Sequence, residues 1–183
     1  MAFASKFSRM VFFASCVALG AAAFSGGCIA TNTIEFDPAE NFPPSIVSQP
    51  LADFPLNEIG QINLDVTVES PEMLLQVIIR DPNFDQTLDY RIFLDSPPPP
   101  AAELQIQEGE IDPSGFLERD SEFPIPYDLL DPGICHKIEL VVVGKFASNV
   151  EKRRPEEEGD IDQATWWVEV TDSFNPVITV ECR

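Results

Sequence analysis

Seventeen prolines interrupt the 183 residues, four of them in one block at Pro97-Pro98-Pro99-Pro100. Proline lacks the backbone N–H and clashes with the preceding helical turn, so a chain interrupted this often cannot carry long helices. Between the interruptions, apolar residues recur at every second position. Ile62, Leu64, Val66 and Val68 alternate with Asn63, Asp65 and Thr67, and Leu75, Val77 and Ile79 alternate with Gln76 and Arg80 around Ile78. Leu88, Tyr90, Ile92 and Leu94 alternate with Asp89, Arg91 and Phe93, while Ile138, Leu140 and Val142 face away from Lys137 and Glu139. Runs at 166–170 and 177–180 complete the set. Period two sends one set of side chains to a core face and the other toward water. Many short strands between turn residues predict an all-β fold, an antiparallel β-sandwich over residues 45–183. Residues 96–126 read as an extended excursion on one sheet edge, with a short strand at Leu104-Gln105-Ile106. Residues 147–163 read as a solvated hairpin loop.

The first 27 residues have a different pattern. Lys6 and Arg9 precede an apolar, uncharged stretch over 10–24, and Ser25-Gly26-Gly27 closes it with small residues. These are the parts of a secretory signal peptide. The stretch is shorter than the roughly 20 residues of a bilayer-spanning helix, which makes a retained anchor the lesser alternative. The run Phe24-Ser25-Gly26-Gly27-Cys28 resembles a bacterial lipobox, departing from it at Ser25, where an aliphatic residue is commoner. That resemblance implies cleavage before Cys28, acylation of Cys28 with fatty chains such as palmitate, and attachment to a membrane. Ile29 stands where an inner-membrane retention signal has Asp, which implies the outer membrane. Ordinary cleavage nearby, giving a soluble secreted protein, stays open. Residues 28–44, polar and proline-bearing, read as a flexible tether.

Charge excludes several classes of partner. Asp and Glu number 31 against 11 Lys and Arg, a net charge of −20, and removing Lys6 and Arg9 with the leader takes it to −22. Nucleic acid binding runs on clustered cations that are absent here. A basic surface for anionic lipid is absent too. A hydrophobic fraction of 44% with fourteen Phe is too high for a disordered chain. Of four cysteines, Cys16 leaves with the leader and Cys28 is the lipidation candidate, so Cys135 and Cys182 remain to pair in an oxidising compartment. A bridge there, between antiparallel neighbours, would pin a C-terminal strand and contribute roughly 4 kcal/mol by loop-closure entropy.

Two segments are similar to bacterial immunoglobulin-like domains of the cadherin/PKD sort. One is Val77-Ile78-Ile79-Arg80-Asp81-Pro82-Asn83-Phe84-Asp85-Gln86-Thr87-Leu88-Asp89-Tyr90-Arg91-Ile92-Phe93-Leu94-Asp95, a strand, an Asp-Pro turn and a second strand. The other is Leu130-Asp131-Pro132-Gly133-Ile134-Cys135-His136-Lys137-Ile138-Glu139-Leu140-Val141-Val142, a Pro-Gly turn leading into a central strand. Together they cover about a fifth of the mature chain. The resemblance implies an immunoglobulin-like sandwich and is almost silent on function.

Few residues are candidates for chemistry. Asp81, Asn83, Asp85 and Asp89 begin like a calcium loop, since hard oxygens suit a hard cation. Gln86 and Ile92 stand where an EF-hand needs Gly and Glu, leaving a turn held by Asx bonds or an edge site shared with Asp160 or Asp162. His136 has no nucleophile elbow to serve, and in the resembling domains its position packs and hydrogen-bonds. Trp166 and Trp167 must point to opposite faces of one strand, one into the core and one toward a loop or a sugar. The expected protein is a non-enzymatic, lipid-anchored envelope module without a cofactor, its partner an envelope protein or polysaccharide. The alternative is a calcium- or carbohydrate-binding sandwich.

Overall fold

The computed structural model describes residues 41–65, 71–96, 103–148 and 150–182, within a unit spanning Ala39–Arg183. The expected leader, Cys28 and the expected tether up to residue 40 lie outside these residues, as do Val66, Val68 and the 97–100 block. Strand β1 is Ser45–Ser48, β2 Ile59–Asn63, β3 Glu72–Arg80 and β4 Leu88–Leu94. Strand β5 is Gln105–Ile111, β6 Glu118–Pro126, β7 Ile134–Val143 and β8 Ile161–Thr171, with a 3₁₀ turn at Tyr127–Leu129. They form two sheets, β1-β3-β6 and β2-β8-β7-β4-β5. All neighbouring pairs are antiparallel except β2 with β8, which run parallel. The expected all-β sandwich is what forms.

Alternation explains the core. On β3, Met73, Leu75, Val77 and Ile79 are buried, and Leu74, Gln76, Ile78 and Arg80 turn outward. They meet Phe123 and Ile125 of β6, Leu88, Ile92 and Leu94 of β4, Ile138, Leu140 and Val142 of β7, and Trp166, Val168 and Val170 of β8. Trp166 fills the centre and donates its indole N–H to the Phe54 carbonyl at 2.9 Å, so its one polar atom is satisfied. Trp167 is half-buried on the opposite face.

Three segments differ from the sequence expectation. Residues 96–126 do not stay on one edge. They supply β5 at the edge of the larger sheet and then β6 at the edge of the smaller one. Pro124 and Pro126 sit on β6, where an edge strand tolerates a missing ladder donor. The run 177–180 is not a strand, since only Val180 makes an isolated bridge to Ile134, and that bridge is parallel. It follows Pro176 and a turn in which Asp172 accepts the amides of Phe174 and Asn175. The segment is held instead by Gly133, whose φ of 88° is open to glycine and whose carbonyl accepts both the amide and the hydroxyl of Thr179. Finally, the 144–160 loop packs on the outer face of the larger sheet. It seals a second small core of Phe93, Val141 and Val143 with Phe146 and Ile161.

Strand directions sort the connections into two poles. The loops 81–87, 112–117 and 144–160 and the chain leading into β1 share one pole, because Arg80 pairs with both Ser45 and Glu118, Leu88 with Ile111, and Val143 with Ile161. The 3₁₀ turn, the Pro132-Gly133 turn and residues 172–182 share the other.

Candidate functional site

Of the oxygen-rich turn, Asp81 is completely buried. One carboxylate oxygen accepts the Asn83 amide at 2.8 Å and the other the Arg119 guanidinium at 2.7 Å. Arg119 is buried as well, and donates to the carbonyls of Ile111, Asp112 and Asn83. The pair therefore ties the β3–β4 loop to the ends of β5 and β6. Burial pushes the Asp81 carboxyl upward, with Asp160 and Asp85 adding to it, against the Asn83 amide and Arg119. The Asx bond of this turn is made by Asp81, not by Asn83 or Asp85. Asn83 instead donates its side-chain amide to Asn41 and to the Phe42 carbonyl, fastening the incoming chain. Asp85 is exposed, and Asp89 accepts the Phe146 amide. Three of the four candidates thus have separate structural tasks, and Asp85 faces solvent.

Asp160 lies at the same pole, buried, and accepts the Gly144 amide at 3.0 Å. A Cβ on residue 144 would come within 2.2 Å of that carboxylate, so only glycine allows the approach. Burial raises the Asp160 carboxyl, opposed by Asn41 and the Gly144 amide. Asp162 points elsewhere and accepts the Ile46 amide at 2.6 Å, joining β1 to β8. Among the described residues, no group of three or more His, Cys, Asp or Glu is placed to hold a metal ion.

At the other pole, His136 is buried, with Nδ1 at 2.7 Å from the Asp95 carboxylate and Nε2 at 2.9 Å from the Asp131 carbonyl. Both neighbours are acceptors, so both ring nitrogens must donate and the imidazolium is the form that fits. Burial works against that charge, but Asp95 and Asp131 more than offset it and raise the His136 pKa. Burial would also raise Asp95, yet His136 and the Lys137 amide hold it below the ordinary carboxylate range. Asp95 has a positive φ of 45°, which turns its carboxylate back onto β7. Neither nitrogen is free to take a proton from a substrate.

Beside His136, Cys135 is bridged to Cys182 with a Cα separation of 5.3 Å. The pairing is the expected one, although the bridged segments run parallel rather than antiparallel.

Sequence reasoning missed the larger sheet's outer face. Arg91 stacks over Phe146 at 4.0 Å and donates to the Ser148 and Lys152 carbonyls. Arg153 stacks over Phe93 at 4.1 Å and binds Glu103 and Glu139. The Lys152-Arg153-Arg154 block is therefore split: Arg153 covers an aromatic, while Arg154 is exposed and pairs with Glu151. The signal was Val141-Val142-Val143, a run without alternation, which marks a strand covered on both faces. Set against known proteins, neither a family model nor a curated protein matches the chain.

Proposed function

We propose that this protein is a lipid-anchored module of the bacterial cell envelope. It carries an immunoglobulin-like sandwich that acts by structure or by interaction with an envelope protein or polysaccharide, and not by catalysis. The observation that carries the reading is the Cys135–Cys182 bridge. It fits an oxidising compartment and leaves Cys28, at the small-residue exit of the leader, as the one cysteine beyond the leader without a partner in the bridge. The Asp-Pro and Pro-Gly turns that resemble immunoglobulin-like domains lead into β4 and β7, which lie side by side in the larger sheet. The absence of catalysis is supported by His136, whose ring is spent on Asp95 and Asp131. The test is Cys28→Ser in the native host. The wild type should sediment with the outer-membrane fraction and the variant should be released; a wild type found in the soluble fraction ends the proposal.

A further inference from the structure

The pole that receives the chain before β1 carries an exposed apolar crown. Phe84 is 47% exposed, Phe116 73% and Leu117 53%. The two loops that bear them are joined, since the Gly115 amide donates to the Phe84 carbonyl and the Asp81 amide to the Leu117 carbonyl. Phe116 is held in place by its own turn, in which its amide and carbonyl both bond the Ser114 hydroxyl. Apolar groups held out toward water by hydrogen bonds seek an apolar medium.

Position selects that medium. Asn83, next to Phe84, holds Asn41 and the Phe42 carbonyl, so the crown sits where the chain arrives from Cys28. Twelve residues lie between Cys28 and Asn41, and whatever their path the thirteen steps cannot span more than about 45 Å. A lipid on Cys28 would therefore keep this pole within reach of the bilayer at high effective concentration. Charge selects the lipid. Asp85 and Asp112 are exposed beside the crown, while Arg80 is paired with Glu118 and Arg119 with Asp81. On the 144–160 loop of the same pole, Lys145 pairs with Glu156, Arg153 with Glu139 and Arg154 with Glu151, and acids outnumber cations, so the pole as a whole does not favour anionic headgroups.

We infer that Phe84, Phe116 and Leu117 seat this pole on the surface of a zwitterionic bilayer, orienting the sandwich with its disulfide pole outward. The inference rests on the proposed lipid anchor. Its experiment takes the lipidated mature chain, reconstituted in phosphatidylcholine vesicles with or without bromines on the acyl chains, and compares Phe116→Trp with Phe174→Trp. Phe174 is 89% exposed at the opposite pole. Leu117→Trp serves as a second reporter should Phe116→Trp fail to fold. The crown tryptophan should shift to the blue and lose emission in brominated vesicles. Phe174→Trp and the native Trp166 and Trp167 should not, and adding anionic lipid should weaken the crown signal. If the protein floats with the vesicles but the crown reporter is unquenched, or both poles are quenched alike, the seating is wrong and the anchor stands. If the protein does not float at all, both fall.

Discussion

The buried ion pair between Asp81 and Arg119 illustrates how little a residue type reveals without its surroundings. A buried pair is not strongly stabilising against an apolar replacement, but removing one partner leaves an uncompensated charge. Arg119→Met should therefore cost about 3–5 kcal/mol. Asp81→Asn with Arg119→Met should cost less than Arg119→Met alone, because the Asn83 amide keeps an acceptor and no charge remains. Urea midpoints at constant slope measure this, and a double variant as unstable as the single one contradicts it. His136 gives a pH signature. Its folded pKa lies above the ordinary 6.5, so the stability it contributes is complete below about 6.5 and is lost as pH rises through the folded value. Melting temperature should fall as pH rises above about 6.5, and His136→Gln should flatten that fall. An unchanged slope in His136→Gln would place the titration elsewhere.

At the scale of elements, the strands most legible in the sequence were those buried on one face. β3 alternates without fault, and its inward residues are the ones the periodicity picks out. β6 was not legible, because Arg119 occupies an inward position and two prolines dilute the pattern. The covering by the 144–160 loop was hidden for a related reason: its charges read as solvent-facing, yet Arg153 of the loop sits over Phe93, and Arg91 of β4 sits over the loop's Phe146. In the candidate site, Asp81 was singled out for its oxygens, but its partner is 38 residues away and nothing local announces it. The C-terminal segment is lightly tied, with one bridge and a few bonds to Gly133 and Cys135. Its order should rest on the disulfide. Cys135→Ala with Cys182→Ala should cost about 2–5 kcal/mol. Amide exchange should show protection lost first over 177–182, and uniform loss across β7 and β8 would contradict this.

For the whole molecule, the charge of −20 acts as a collective term. Among the described residues, Asp81 and Asp160 are the buried acids and the others reach the surface, so the folded state confines their repulsion more than the unfolded chain does. Salt screens such repulsion over about 10 Å at 0.1 M. Melting temperature should rise between low salt and physiological salt, and equally for chloride salts of sodium and potassium. A fall would mean that the ion pairs outweigh the repulsion.

The antiparallel pairing of β1 with β3 has a mechanical consequence. Ser45, the first residue of β1, sits beside Arg80 at the pole where the chain arrives, and the strand runs from there toward the other pole. A pull on the chain ahead of β1, against a load at the far pole, is directed along the strand. The rungs from Ser45–Arg80 to Ser48–Val77 are then sheared together instead of unzipped one at a time. The Ile46 amide on the Asp162 carboxylate resists in the same direction and passes part of the force to the second sheet. Four residues of strand thus make a stiffer mooring than their number suggests.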